Sequence, residues 1–377
     1  MPSEPHAPSY YAASVAPPPE RPVLAGDCRA EVCVVGAGFT GLSAALELAE
    51  RGARVVVLEA RRVAWGASGR NGGQIGSGYP CGMAALIRWV GRDDARRLFA
   101  LAEDAKALIR ARVERYGIAC DLKWGCFHAA LKRRHLAEIR ETRALWAETF
   151  GYEGLVLAED NAAACAYVKS PRYLGGLYDP GAGHLHPLKY ALGLAAAAEA
   201  AGAALYEGSP VMALEGPGTC GEGGSGPVVA ATPGGRVTAD RLILCGNAYL
   251  GDLVPQVRRF YAPLGSYIVA TEPLGAERAA QVIPADCAVF DSNHFLNYYR
   301  LSADGRLLFG GRSGASAFRE PDPRAFLGDR FRALFPQIED AAIDYAWGGT
   351  LAMTASRMPQ VGRVGSRVTF AHGYSGE

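Results

Sequence analysis

The sequence predicts an α/β protein in which a parallel βαβ unit is interleaved with an α+β domain built on a mixed, largely antiparallel sheet. Three observations carry this. In EVCVVGAGFTGLSAALELAERGARVVVLEA an apolar run, a glycine turn, a helix-period segment and a second apolar run follow one another. Alternating runs of another kind, SYIVATEPL and NYYRLSADGRLLFGGR, lie between Tyr261 and Arg312. Between the two regions a buried-type strand, Arg241 to Cys245, returns to the first pattern. At 377 residues the chain exceeds one ordinary core, so two domains or one large α/β unit is expected.

The elements follow in order. Residues 1–25 form a Pro-rich arm, expected to be extended and partly mobile, with Tyr10 and Tyr11 available to pin it to the surface. Val32–Val35 reads as a strand, Gly36–Gly41 as a turn, Leu42–Arg51 as a helix and Arg54–Leu58 as a second strand. Residues 84–116 and 132–150 read as amphipathic helices joined by the strand-like ACDLKWGCFHAAL. GLYDPGAG reads as a turn, Pro187–Ala201 as an alanine-rich helix, and strands are expected around Leu205 and Val211. Pro217–Pro227 is a hairpin tip or insertion, and Gly234-Gly235 signals a hairpin. No internal repeat is visible.

Composition narrows the function. The net charge of +1, with no dense Lys/Arg block, lacks the electrostatic footprint of nucleic-acid or anionic-membrane binding and favours a small-molecule partner. Nine cysteines without a C-x-x-C pair or zinc-type histidine spacing point to reduced thiols and no metal site. There is no secretory pattern and no apolar run near the roughly 18 residues that span a membrane, so a soluble cytoplasmic protein is expected.

Gly36, Gly38 and Gly41 have the G-x-G-x-x-G spacing. The first makes the tight turn, the second admits a pyrophosphate against the backbone, and the third lets helix and strand pack closely. The helix N-terminus directs free N–H groups at the phosphates. Glu59, ending the second strand, is placed to accept ribose hydroxyls, which favours NAD or FAD over a 2′-phosphorylated dinucleotide. Then comes AWGASGRNGGQIGSG, Ala64–Gly78, where an NAD enzyme usually continues with a helix and a strand. A second flexible glycine segment suits a ligand longer than the βαβ unit covers, whose flat ring needs close backbone and N–H donors. FAD meets that description.

These segments, with GHLHPLKYALGLA, WGGTLAMTASRMPQVGR and the terminal HGYSG, resemble FAD-dependent amine and amino-acid oxidoreductases of the D-amino-acid oxidase superfamily. The SGRNGGQ loop and the SYYAAS arm are similar to its γ-glutamylputrescine oxidoreductase branch. The resemblance implies a Rossmann-type FAD-binding domain of the glutathione-reductase (GR2-like) kind from residues 26–83, 184–258 and 345–377. The substrate domain would comprise residues 84–183 and 259–344. By position, Gly36, Ala37, Gly38, Thr40 and Gly41 would meet the pyrophosphate, and Glu59, Ala60 and Arg61 the adenosine side. Ala67, Ser68, Arg70, Asn71, Gly72, Gly73 and Gln74 would line the phosphate and isoalloxazine. Val211 would touch the adenine, Gly246 and Asn247 the pyrophosphate region, and Gly373, Tyr374, Ser375 and Gly376 the flavin ring. The family pattern runs on through G-Y-S-G-H-G into a long helix facing the flavin's N1/O2 edge, whereas this sequence stops at Gly376-Glu377. Either a truncated sequence or a product lacking that electrostatic support is expected.

The implied chemistry is oxidation of an amine or amino-acid C–N bond by hydride transfer to flavin N5, with imine hydrolysis and reoxidation by oxygen. A γ-glutamylputrescine-like substrate is favoured. Tyr298 and Arg300 alternate to one face of a strand, with Tyr299 on the other. Arg300 is a candidate carboxylate clamp, its alternative being a surface or interface arginine; Arg312 has similar standing. Trp347 is either a pocket wall or core, and His128 and His294 are bases or structural histidines. The competing functions are a flavin dehydrogenase serving a quinone or protein acceptor, a non-catalytic FAD-binding protein, and an NAD-dependent dehydrogenase.

Overall fold

A computed structural model of the chain describes residues 4–216, 219, 226–293, 295–312 and 322–375. Its strands form two sheets. The first runs in the order Gln360–Val364, Val368–His372, Gly235–Leu244, Cys28–Val35, Val55–Leu58, Ala204–Tyr206. From Val368–His372 to Ala204–Tyr206 every pairing is parallel. The buried patterns of Cys28–Val35 and Val55–Leu58 explain this, because a parallel sheet is covered on both faces. On one face lie helices Phe39–Glu50 and Pro187–Ala200, where Ala45 and Ala49 meet Ala191, Ala195 and Ala198 and the small side chains let the helices approach closely. Leu250, Val254 and Val257 gather with Cys33, Val35 and Leu244 on the other face.

The second sheet runs Ile343–Thr354, Tyr261–Pro273, Arg306–Arg312, Asn297–Leu301, Ala288–Asp291, Lys123–Ala130, Gly175–His184, Gln74–Ile75. Among the described residues, only Ala288–Asp291 on Lys123–Ala130 is parallel in this sheet. Its own core gathers Phe127, Tyr299, Phe309, Phe331 and Phe335. The chain leaves the first sheet at Leu58, passes through the glycine segment and enters the edge of the second at Gln74-Ile75. That segment therefore bridges the two sheets, and this places the site.

Four expectations are corrected. The helix over residues 84–116 is two helices, Met83–Val90 and Arg92–Arg115, because Gly91 at φ +83° breaks the ladder between them. GLYDPGAG belongs to the strand Gly175–His184. Its Pro180 and Gly181 sit where the register against Lys123–Ala130 shifts between Trp124 and Cys126, a bulge that absorbs the turn-forming residues. The strand near Val211 is Ala213–Glu215, with Val211 just outside it. The arm is not extended at its tyrosines: Tyr10–Ala13 is one helical turn capped by Ser9, with Tyr11 fully buried. Most of Pro217–Pro227 lies outside the described residues; the strands on either side of it, Ala213–Glu215 and Val228–Thr232, pair antiparallel. No helix among the described residues is long and apolar enough to cross a membrane.

His184 and His186 flank the passage from the second sheet into helix Pro187–Ala200 and are buried. Burial first, and the nearby Arg300 second, hold both at about 3, below the ordinary histidine value of 6.5. Between those values the unfolded chain binds more protons than the folded one, so stability rises with pH through that window and is lost as pH falls below 6.5. At pH 5.5 each histidine costs roughly 1.4 kcal/mol relative to neutral pH. Urea unfolding at pH 7.5 and 5.5 should show this loss, and His186→Asn, which keeps a helix-capping acceptor, should recover about one histidine's share of it. Equal pH dependence in the two proteins would contradict the assignment.

Candidate functional site

Three distant pieces of sequence meet at the C-terminal end of the parallel strands. Gly36 turns at φ +103°, and a Cβ there would lie 3.0 Å from the Cys245 carbonyl oxygen. A Cβ on Gly41 would fall 1.9 Å from the Gly36 oxygen, so the third glycine is required by helix–strand packing. Gly38 caps helix Phe39–Glu50 without a side-chain bond; the Ser68 hydroxyl accepts from the Phe39 N–H at 3.0 Å. Asn247, at φ +47°, accepts from the Gly373 N–H at 3.0 Å, and the Tyr374 hydroxyl is 2.7 Å from Thr40 Oγ1. Burial pushes the Tyr374 phenol up to about 12. Gly36, Gly38, Thr40, Gly246, Asn247, Gly373 and Tyr374 thus share one corner. Ser375 is buried there at φ +58°, its N–H on the Ala352 carbonyl; Gly376 lies outside the described residues.

Glu59 ends the second strand half-buried. Its carboxylate accepts from the Ala37 N–H at 2.8 Å and the Arg61 N–H at 3.0 Å, tying the glycine turn to the strand end. Burial raises its pKa, and these backbone donors oppose that shift. Ala60 beside it is exposed. Val211 packs against the core of the first sheet, two residues beyond Ser209, whose N–H donates to the Glu59 carbonyl at 2.8 Å.

The glycine loop forms the second half of the site. Ala67–Gly69 is a short 3-10 turn. Asn71 folds the next residues by accepting from the Gly73 N–H at 2.7 Å while donating to the Ala67 and Ser68 carbonyls, both at 3.1 Å. Gly73, at φ +73°, leaves no room for a Cβ, which would be 2.1 Å from the Leu185 oxygen. Arg70 donates to the Trp65 carbonyl at 2.8 Å and lies over the Trp65 ring at 4.2 Å; Arg61 stacks on the same ring at 4.3 Å. Gln74 reaches the Val289 carbonyl at 2.9 Å and so fastens the loop's end to the second sheet.

Tyr298 and Arg300 share a face of their strand, and both reach this loop. The Tyr298 ring lies between Gly72 and Gly310, whose Cβ atoms would approach it to 2.8 and 2.1 Å, and its hydroxyl is 3.0 Å from Ser266 Oγ. Arg300, the candidate carboxylate clamp, is held inside the protein by the loop and the arm. It is 3% exposed, and its guanidinium donates to the Gly72 carbonyl at 2.7 Å, the Leu301 carbonyl at 3.2 Å and the Tyr11 hydroxyl at 3.2 Å. The strand's alternation was legible, but the loop packed on that face takes the charge. Arg300→Lys should therefore destabilise the fold by about 2 to 3 kcal/mol, the scale of charged hydrogen bonds, in chemical denaturation. A clamp would leave stability unchanged and raise only KM. Trp347 is buried in the core behind the loop, and its indole N–H donates to the Arg70 carbonyl at 2.9 Å. His128 is held at Ser292 Oγ, 2.9 Å away, and stacks on Phe290; burial lowers it to about 4, and His294 lies outside the described residues. Arg312 ends its strand, Arg306–Arg312.

Sequence reasoning missed one support, Glu207, and gave another, Tyr11, only a place at the surface. Glu207, buried, accepts from the Val63 N–H at 2.8 Å and faces Arg21 at 3.5 Å. Tyr11 stands behind Arg300 and Trp347. A charged residue at a strand end, and paired tyrosines in an otherwise Pro-rich arm, are the signals that mark them.

The residues suit a dinucleotide. Beyond the Phe39 N–H that Ser68 holds, the helix N-terminus at Gly38 offers donors to a pyrophosphate, a carboxylate stands at the end of the second strand for ribose hydroxyls, and a glycine-lined backbone stretch continues beyond. Comparison with known proteins agrees with this. The FAD dependent oxidoreductase (DAO) family matches residues 31–377. An oxidoreductase OrdL of Haemophilus influenzae is 41% identical over 98% of this chain and 84% of its own length. The γ-glutamylputrescine oxidoreductase of Escherichia coli K12 is 40% identical over 98% of this chain and 85% of its own length. In fold, glycine oxidase from Geobacillus kaustophilus superposes with a TM-score of 0.77, covering 92% of this chain and 90% of that one at 24% identity.

Proposed function

Since the chain belongs to the family of FAD-dependent oxidoreductases, we propose that it oxidises the C–N bond of an amine, with γ-glutamylputrescine-type substrates favoured. The observation that carries the reading is the bridging loop. Arg70–Gly73 continues the dinucleotide corner of the first sheet and is held directly against Tyr298 and Trp347 of the second. A long cofactor held at that corner would extend along this loop toward the second sheet, and Arg70–Gly73 would line it. The similarity to γ-glutamylputrescine oxidoreductase supports the substrate class.

FAD, when bound, supplies the two-electron acceptor for the C–N bond. This chain's residues supply position and surroundings. The N-terminus of Phe39–Glu50 and the Gly36–Gly41 turn would hold the pyrophosphate, with Glu59 at the ribose. Asn247 orients the Gly373 N–H, and Thr40 orients Tyr374, so these would form the other wall. Tyr298, its ring clamped between two glycines and its hydroxyl beside Ser266, presents a fixed hydroxyl on the substrate side. An amine must be neutral to release hydride, and a water-poor site beside Tyr298 would disfavour the ammonium form by desolvation. The flavin-loaded protein should convert γ-glutamylputrescine to an aldehyde and ammonia with one oxygen consumed per turnover, followed by an oxygen electrode and an aldehyde trap. Aldehyde formation that requires an added quinone and consumes no oxygen directly would replace oxidase by dehydrogenase. No product from any amine would overturn the reading.

A further inference from the structure

The family match begins at residue 31, yet the arm before it is built into the site's far side. Near its start, the Pro5 carbonyl accepts from the Trp65 indole at 2.9 Å, and Glu4 pairs with Arg61. At its helical turn, Ser14 Oγ lies 3.0 Å from His186 Nε2, and His186 Nδ1 accepts the Lys189 N–H at 3.2 Å to cap the following helix. Between these contacts the Tyr11 ring, fully buried, lies 5.1 Å from Trp347 and 4.8 Å from His186, and its hydroxyl accepts from Arg300.

Two carbonyls of the glycine loop rest on this tyrosine through one intermediary each. Arg300 holds the Gly72 carbonyl at 2.7 Å, and Trp347 holds the Arg70 carbonyl at 2.9 Å. The glycines make the loop adaptable, and ordering them carries the largest backbone entropy cost of any residue type. Support from behind prepares the loop's shape before a ligand arrives, and preorganisation of that kind appears as affinity. We propose that Tyr11 is a positioning residue: the seated arm sets the glycine loop, so FAD binds at full affinity and in a single ring setting only while Tyr11 is in place. The inference rests on FAD dependence and is independent of which amine is oxidised.

The test uses the full chain with Tyr11→Phe and Tyr11→Leu. FAD affinity is measured by titrating apoprotein, the setting of the ring by visible circular dichroism of the bound flavin, and stability by thermal unfolding. Tyr11→Phe removes only the acceptor of Arg300 and should weaken FAD about tenfold. Tyr11→Leu also removes the ring beside Trp347 and should weaken it roughly a hundredfold. Both should alter the flavin dichroism, with Phe recovering part of the wild-type signal. Phe331→Leu, in the core of the second sheet, should lower the melting temperature while leaving FAD affinity and dichroism unchanged. Tyr11 variants that lose stability but keep FAD affinity within about twofold, with an unaltered flavin spectrum, reduce the arm to a structural element and overturn the proposal. If Tyr11→Leu does not fold, Tyr11→Phe decides by the same criterion.

Discussion

Replacing Gly41 with alanine should yield a protein that retains no FAD and is destabilised by about 3 kcal/mol or more, at or beyond the upper end of ordinary overpacking. The new methyl would lie 1.9 Å from the Gly36 oxygen and 3.2 Å from Val34 Cγ1. One of those atoms is backbone, so no rotamer relieves the clash, and the turn itself must open. Gly36 cannot retreat freely, because it already packs against the Cys245 carbonyl. The control is Gly52→Ala, where nothing lies within 4 Å and only the φ of +84° resists substitution. It should cost about 1 to 2 kcal/mol and leave flavin content intact. Flavin content after purification and urea unfolding of the apoprotein report both effects. A Gly41→Ala chain purified with stoichiometric flavin would contradict the assignment of the turn.

The second large effect is expected at Glu59. Its two oxygens each receive a backbone N–H, at 2.8 Å from Ala37 and 3.0 Å from Arg61. Glutamine has the same shape but only one accepting oxygen, so its amide N–H₂ must oppose one of those N–H groups. Losing a charge-assisted bond costs about 1.5 to 3 kcal/mol, and if the Ala37 turn relaxes, FAD affinity should fall by roughly ten- to a hundredfold. Titration of apoprotein with FAD measures this. Unchanged affinity in Glu59→Gln would show that the carboxylate serves neither the turn nor a ribose.

Local signals carried the sequence reading, and distant contacts limited it. The βαβ unit was legible because glycine spacing, apolar runs and a terminal acid all act within about thirty residues. The break at Gly91 was missed although its signal is local: a glycine is followed by Asp93 and Asp94 in the first turn of a new helix, a start signal within the longer periodic run. Arg300 shows the opposite case. Alternation put it on the same face as Tyr298, but its partners Gly72 and Tyr11 lie 228 and 289 residues away, and no window of sequence contains them. Likewise, Pro180-Gly181 reads as a turn by local chemistry, and only the pairing with Lys123–Ala130 turns it into a bulged strand. The three-piece corner around Gly36, Asn247 and Gly373 was available only through family resemblance, since nothing in the spacing of those residues links them.

The most direct test of the central reading is anaerobic titration of the flavin-loaded protein with γ-glutamylputrescine, following the flavin band near about 450 nm. Complete bleaching is expected as one equivalent of amine is added, with the colour restored by air. A band that dithionite bleaches but neither γ-glutamylputrescine nor any other amine does would contradict that reading.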